Sequence, residues 1–370
     1  MNSYGDITIY VNMPQSITDG ALPWQRLAVK NAHPRDARIS FVESTHTYTV
    51  DGSSDKMMSC TGFIGKFYEH FNPDTVIAKM MKGRNWNPSN KYWGLTPDQI
   101  KKQWDDNGKE ASEAGTRMHL DIEHYNNAEP VGNLVGDNYE PLDGAEWQYF
   151  LRYEEEHRKA RGFEPFRTEW LVFKEEIKLS GSIDMVYLKP DGTLAIYDWK
   201  RAKDIKKDNP YQKMFAPLSH LPDTNYWHYS LQLNIYRRVL QEKYGWVVSE
   251  LALVVLHPNQ ESYEVIPLNL LDTEVEGMFQ WRAAQLAGTA AVPAAATAAV
   301  ATAATAAKVV EVTATATAQS DSEESAEPVK KGTWMGGASS DEDSSPSPAL
   351  RRSPRLKPLP KKSGWIGIED

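Results

Sequence analysis

The sequence predicts a mixed α/β fold, of the α+β kind, with a central mixed β-sheet flanked by helices. Helical patterns come first, a cluster of strand patterns follows at 168–200, and a helical pattern at 229–245 precedes further strands. Twelve Trp supply material for a core. Composition changes sharply near residue 288. We therefore expect an N-terminal extension at 1–38, a folded domain at 39–287 and a low-complexity disordered tail at 288–370.

Composition limits the class of protein. The chain has 370 residues, a net charge of −9 and one cysteine, Cys60, which excludes internal disulfides and a four-cysteine zinc or iron–sulfur site. The negative charge argues against a generic nucleic-acid coat, yet a DNA enzyme stays open because metal-binding carboxylates count as negative. We see no signal peptide and no membrane-spanning run, so we expect an intracellular protein, nuclear or cytoplasmic, without membrane contact.

The first half of the domain shows one strand pattern and two capped helices. The stretch 39–52 predicts a strand ending in a turn. A helix follows with Asn72 as N-cap and Gly83 as terminator. Another begins at Thr96, whose spacing to Gln99 fits a capping box.

The second half predicts the remaining elements. A separate helical stretch at 110–125 has Gly115 and Thr116 as a plausible start. The elements after it are a helix at 144–160, a strand at 168–176, a hairpin at 181–203, the last helix at 229–245, and strands at 251–258 and 262–268.

The hairpin "GSIDMVYLKPDGTLAIYDWKRAK" carries the strongest signal. A three-residue loop at 190–192 places Asp184 opposite Asp198. Since side chains alternate along a strand, one face carries both aspartates and Lys200. The same face carries four apolar residues, Val186, Leu188, Leu194 and Ile196.

Two carboxylates at the end of an apolar face need a cation. Like charges across a strand pair destabilise each other, and half-buried carboxylates are costly without partners. A divalent metal, Mg²⁺ or Mn²⁺, held by Asp184 and Asp198 resolves both problems, and Lys200 can polarise an attacking water. The alternative is an ion pair of Lys200 with Asp198 on a solvated sheet edge.

Other residues are candidates for the same site. His119 precedes Glu123 by four residues and shares a helix face with it, a pattern also typical of a surface pair or a core histidine. Glu169 could add a third carboxylate, or lie at an exposed strand end. Gln232 and Tyr236 share a helix face, which an amphipathic helix with a polar flank also explains.

Basic residues offer phosphate contacts in two places. The run Lys200, Arg201, Lys203, Lys206 and Lys207 follows the hairpin directly, although a solvated loop explains it equally well. In the tail, a basic cluster at 351–362 is either a nuclear-import signal, a nucleic-acid tether or part of a solvated segment. The tail is also a possible docking site for a protein partner.

Taken together, these motifs resemble the PD-(D/E)XK nuclease superfamily, and its RecB-like and lambda-exonuclease-like branch in particular. The matching segments are "GTRMH" at 115–119, "GSID" at 181–184, "DWK" at 198–200 and "QLNIY" at 232–236, in that branch's order. Ile183 stands where the eponymous proline would be. The segment 39–110 is similar to virus-borne or mobile-element nucleases of this kind.

The resemblance implies roles for single residues. Asp184 and Asp198 would hold Mg²⁺ or Mn²⁺ with His119 as a further ligand, Lys200 would be the catalytic lysine, and Glu169 would assist. The substrate-binding set would be Gln232, Tyr236, Arg201 and Arg237. The iron–sulfur subgroup needs four cysteines, so no iron–sulfur cluster is expected. A restriction-endonuclease-like core would carry the site.

We therefore expect a metal-dependent DNA nuclease, an exonuclease that hydrolyses phosphodiester bonds at DNA ends in replication, recombination or repair. Two alternatives from other classes stay open. One is a catalytically inactive DNA-end-binding protein on the same fold. The other is a structural protein whose hairpin charges form a solvated rim.

Overall fold

The computed structural model describes residues 9–11 and 22–288. Within these ranges the strands are β1 (Ile9–Val11), β2 (Ile39–Val42), β3 (Thr47–Val50), β4 (Met58–Ser59), β5 (Glu164–Lys174), β6 (Leu179–Leu188), β7 (Leu194–Lys200), β8 (Val248–Val255) and β9 (Glu264–Pro267). The α-helices there are α1 (Arg26–Lys30), α2 (Cys60–Ile64), α3 (Pro73–Lys82), α4 (Pro97–Asn127), α5 (Ala145–Tyr153), α6 (Asn225–Lys243) and α7 (Asp272–Leu286). The predicted tail, including its basic cluster, lies outside the described residues apart from residue 288.

The central sheet is mixed, as predicted. Its main strands run in the order β5–β6–β7–β8–β9, and short β4 pairs with the start of β6. Strand β6 is antiparallel to β5 and β7, whereas β7 and β8 are parallel. A smaller antiparallel sheet of β1, β2 and β3 packs through Phe41 and its neighbours on Leu171 and Phe173 of β5.

Helices cover both faces of the central sheet and form two apolar cores. On one face α2, α6 and α7 pack on strand residues such as Val186 and Ile196. On the other face α4 and α5 pack on Tyr187 and Tyr197. Cys60, at the start of α2, belongs to the first core and is 1% exposed. The predicted flanking of the sheet by helices is therefore confirmed.

The hairpin formed by β6 and β7 has the predicted register. Leu188 pairs with Leu194 and Val186 with Ile196. Gly192 adopts a φ of 81° in the turn, a conformation that glycine reaches without strain. The local turn chemistry and the period-2 pattern thus suffice to fix this register.

Helix caps also agree with the sequence. The Asn72 side chain accepts a hydrogen bond from Thr75 N at 3.0 Å, and Gly83 ends α3. Thr96 and Gln99 form the reciprocal capping box at the start of α4. These side chains satisfy backbone N–H groups that a helix start leaves without partners.

Three element predictions were wrong. The stretch 39–52 forms two strands, because a left-handed His46 (φ 50°) turns the chain between them. The helices predicted at 96–104 and 110–125 are one helix, α4, of 31 residues, so Gly115 lies inside it, where tertiary packing offsets glycine's weak helix propensity. Helix 229–245 is not the last, since α7 follows.

The segment 22–38 packs on the domain. Arg26 forms a bidentate ion pair with Asp137, and the guanidinium of Arg167 lies 2.7 Å from the Asp36 carboxylate. Asp36 also accepts a hydrogen bond from Trp170 Nε1.

None of the helices within 22–288 has both the length and the apolar character that a membrane span requires.

Candidate metal centre

Three carboxylates lie in one row across the central sheet. The β6–β7 pairing ends at Met185 and Tyr197, and Asp184 and Asp198 are the next residues on the two strands. The β5–β6 pairing continues on either side of Glu169, which places Glu169 opposite Asp184 on the other side of β6. Side chains at one level on neighbouring strands are close neighbours. The sheet therefore gathers three acidic groups from three strands.

Two of these carboxylates, Asp184 and Glu169, are fixed by hydrogen bonds. Asp184 Oδ2 accepts a hydrogen bond from Trp199 N at 3.2 Å, and Glu169 Oε2 accepts one from Ser182 Oγ at 2.9 Å. Glu169 also has a φ of 44°, in the left-handed region that non-glycine residues rarely adopt. Strain of this kind is concentrated at functional sites.

His119 of α4 lies close to the carboxylates of Asp184 and Glu169. Its Nδ1 lies 3.7 Å from Asp184 Oδ2 and 3.9 Å from Glu169 Oε1. Its Nε2 lies 3.0 Å from the carbonyl oxygen of Trp199. Because a carbonyl only accepts, we assign the proton to Nε2, which directs Nδ1 toward the carboxylates. A histidine that ligates a metal is typically oriented by such a contact.

Lys200, at the end of β7, lies next to these three carboxylates. Its Nζ lies 2.7 Å from Asp198 Oδ2 and 4.6 Å from the centroid of the Tyr229 ring on α6. The ring face attracts the ammonium group and limits where it can move. Tyr229 was not singled out from the sequence, although it lies on the face of α6 that carries Gln232, three residues later.

Burial excludes three of the alternative interpretations. Asp184, Asp198 and Lys200 are 8%, 2% and 8% exposed, so the hairpin charges do not form a solvated rim. Glu169 lies in the middle of β5 with its side chain 12% exposed, so it is not at an exposed strand end. His119, with a side chain 16% exposed, is not part of a surface pair.

The electrostatics of the site favour a bound cation. Burial, followed by the charge of Asp184, raises the pKa of Asp198 to about 7. Burial also raises the pKa of Asp184. Burial alone would lower the pKa of His119, but the nearby Asp184 and Glu169 outweigh it and raise that pKa to about 9. A divalent cation can displace the protons that these raised pKa values favour on Asp198 and His119.

The donor set fits a divalent metal. Ligand atoms of His119, Glu169 and Asp184 all lie within 4.8 Å of one another. The metal set predicted from the sequence was Asp184, Asp198 and His119. The structure adds Glu169 to this group, whereas Asp198 is paired with Lys200. Carboxylate ligands suit Mg²⁺ and Mn²⁺.

Two predicted substrate-binding residues lie on α6 near β6. Gln232 Nε2 donates to the Tyr236 hydroxyl at 3.3 Å, and Tyr236 is only 4% exposed. The Tyr236 ring packs on Gly181, where a Cβ atom would lie 2.6 Å from ring atom Cε1. This burial supports a packing role for Tyr236, and its contact with DNA remains a prediction.

The two predicted arginines have carboxylate partners. Arg201 Nε donates to Glu146 Oε1 and Arg237 Nη1 to Asp272 Oδ1, each at 2.7 Å. Arg237 is 9% exposed. Each guanidinium would have to share its charge with a carboxylate to bind a phosphate, so their roles as substrate contacts remain predictions.

A group of one histidine and two carboxylates on a mixed α/β sheet, with a lysine beside it, is typical of metal-dependent hydrolases. The family model of the PD-(D/E)XK nuclease superfamily matches residues 105–324, which is more than half of the chain. The chain belongs to this superfamily and is a nuclease. Membership of the RecB-like branch and a viral or mobile-element origin remain predictions.

Solved structures offer only distant similarity. A protein from Eubacterium rectale described as a "Putative exonuclease" is 11% identical, with a TM-score of 0.31, covering 63% of this chain and 80% of that one. The protein SSO0001 is 12% identical, with a TM-score of 0.24, covering 62% and 76%. A comparison with curated proteins found no match.

Proposed function

We propose that this nuclease is a Mg²⁺- or Mn²⁺-dependent deoxyribonuclease that acts as an exonuclease at DNA ends, in replication, recombination or repair. One observation carries the proposal: His119, Glu169 and Asp184 converge within 4.8 Å beside the Asp198–Lys200 pair. Three acidic groups and an ammonium in a buried site suit hydrolysis of an anionic ester better than recognition alone.

The metal would be held by His119, Glu169 and Asp184, with Asp198 able to join when its carboxylate turns from Lys200. A divalent ion in such a site lowers the pKa of a bound water and neutralises negative charge on the phosphate. The hydrogen bonds from Ser182 and Trp199 keep Glu169 and Asp184 in place before substrate arrives.

Lys200 would act on the reacting phosphate. In this structure its ammonium is held between Asp198 and the face of Tyr229. From there it can donate a hydrogen bond to the attacking water or to a phosphate oxygen that gains charge. Asp198 fixes its direction, and burial strengthens the interaction because little water screens it.

DNA as the substrate is supported by the basic run that follows β7. Lys203 and Lys207 are exposed on the segment next to the site. Arg201, Arg237 and Gln232 are the further contacts that we propose. Their phosphate contacts would position the strand without reading its sequence.

The test is digestion of end-labelled linear and circular DNA, single- and double-stranded, with Mg²⁺, Mn²⁺ or EDTA. We expect linear DNA to be degraded from an end, circular DNA to persist, and EDTA to stop the reaction. Cleavage of circles would show an endonuclease, and the position of the released label would give the polarity.

Variants of two lysines make the test specific. Lys200→Ala should abolish cleavage while DNA affinity and folding are kept. Lys174→Ala is the control, because Lys174 is also a strand lysine with little exposure and a carboxylate partner, Glu242, at 2.6 Å. Binding of DNA ends by the parent without cleavage under any metal would support the inactive binding protein instead.

A further inference from the structure

A cavity of about 460 Å³ lies apart from the metal centre, between the start of β4 and the C-terminal end of α7. Its wall includes three cationic residues, Lys56, Lys66 and Arg282, together with Met57 and Met58. None of the described residues that line this cavity is acidic. Its volume falls within the range of about 300–1,000 Å³ usual for ligand sites. We call it the basic pocket.

Arg282 is the unusual member of the basic pocket. It is 4% exposed, yet its guanidinium donates to neutral acceptors, namely the carbonyl oxygens of Ile177 and Lys56 and the amide oxygen of Gln285. Burial lowers its pKa, and no carboxylate acts against that effect. A buried cation without a counter-charge is costly. An anion in the pocket would remove this cost.

The basic pocket and the metal centre lie along the same strand, β6. Met58, which lines the pocket, pairs with Leu179 at the start of β6, and Asp184 lies five residues further along that strand. At about 3.3 Å per residue the two sites are on the order of 16 Å apart along the strand. This spans roughly five nucleotides of a B-form strand, at about 3.4 Å each.

We propose that the basic pocket binds a phosphate group of the DNA substrate, several nucleotides from the bond that is cleaved. This inference rests on the proposed function and adds a second, remote contact to it. A guanidinium and two ammonium groups match a phosphate, and the methionines offer apolar contact to the adjoining sugar or base. The contact would hold the strand without affecting the chemical step.

The test combines Lys56→Gln with Lys66→Gln, because both side chains are exposed and their replacement leaves Arg282 in place. The control is the double variant Lys102→Gln and Lys109→Gln, with the same charge change on two exposed lysines of α4. Binding of a blunt DNA duplex is measured in EDTA over a salt series. Cleavage by the same proteins is then measured with Mn²⁺ at saturating duplex.

We expect the pocket variant to bind the duplex about tenfold more weakly, with the control within about twofold of the parent. The slope of log K against log salt should fall in magnitude by about 0.9, the contribution of the one phosphate contact that is lost. Cleavage at saturating duplex should be unchanged. Inorganic phosphate should weaken duplex binding by the parent more than by the pocket variant.

Equal duplex affinity and salt slope for the parent and the pocket variant would overturn the proposal. An acidic partner is the competing occupant, tested with a labelled peptide of residues 320–328, "SDSEESAEP". Peptide binding that depends on Lys56 and Lys66, with duplex binding unaffected, would also overturn it. A parent that binds duplex but never cleaves would contradict the proposed function alone.

Discussion

Asp198 and Asp184 follow directly after the last residue pair of β6 and β7, and at the same time Asp198 Oδ2 lies 2.7 Å from Lys200 Nζ. One carboxylate thus takes part in two opposed interactions, repulsion by an acidic neighbour and attraction by a basic one. The pairing with Lys200 is the interaction that the structure shows for Asp198, and its role as a metal ligand remains a proposal.

Glu169→Gln should weaken Mn²⁺ binding by at least about tenfold, because the change removes the charge of a proposed ligand while keeping its size. Isothermal titration calorimetry measures the affinity directly. Glu261→Gln, at an exposed residue, is the control for the loss of one negative charge. Unchanged affinity in Glu169→Gln would show that Glu169 is not a ligand, and Asp198→Asn would then be tested in the same way.

Stabilisation by Mn²⁺ should grow as the pH rises from about 6 to about 8. Without metal, the folded protein keeps a proton on Asp198 to about pH 7 and on His119 to about pH 9, above the values of an unfolded chain. Stability from these protons is present at low pH and lost as the pH rises through the folded-state pKa values. Mn²⁺ replaces the protons, so its effect is largest where they have left.

The measurement is the difference in melting temperature with and without Mn²⁺ at each pH. The Asp184→Asn variant serves as the control, since its weakened site should give a small difference throughout. If Mn²⁺ raised the melting temperature of the parent by the same amount at every pH, Asp198 and His119 would not release protons when the ion binds.

Gly181→Ala should destabilise the protein by about 1–3 kcal/mol, because the added Cβ would lie 2.6 Å from Cε1 of the Tyr236 ring. Chemical denaturation measures the loss. A second variant that combines Gly181→Ala with Tyr236→Leu should lose less than the sum of the two single changes. Strict additivity would mean that the two residues do not compete for the same space.

Asp36→Asn should cost about 3 kcal/mol of unfolding free energy, because it leaves the buried guanidinium of Arg167 without its counter-charge. Arg167 and Asp36 have side chains 1% and 8% exposed. The control is Asp51→Asn, which breaks the equally short ion pair with Arg38, where the side chains are 38% and 54% exposed. Equal losses in the two variants would show that burial does not set the strength of the pair.

The hairpin could be predicted from sequence because its information is local. A turn with Gly192 and a period-2 pattern fix the register of two adjacent strands. The position of Glu169 could not be predicted in this way. The β5–β6 pairing shifts by one residue between Pro165 and Arg167, and only the folded sheet reveals which residue then faces Asp184.

The helices show the same contrast between features set by local sequence and features set by tertiary contacts. A cap such as Asn72 can be predicted from the residues next to it in the sequence. The continuity of α4 through a polar stretch depends on the residues that pack against the helix. His119 was identified as a candidate, but its approach to Asp184 rests on the docking of α4 across the sheet. Tertiary contacts of this kind leave no periodic signal in the sequence.

The position of Cys60 has a practical consequence for experiments. It is the single cysteine of the chain, and its thiol is 1% exposed, with a pKa raised by burial. Thiol reagents act on exposed thiolates, so they should leave the folded parent unlabelled. A cysteine introduced at any surface position would then be the one reactive group. Fluorophores or photocrosslinkers attached there could trace the path of a bound strand over the protein, one position at a time.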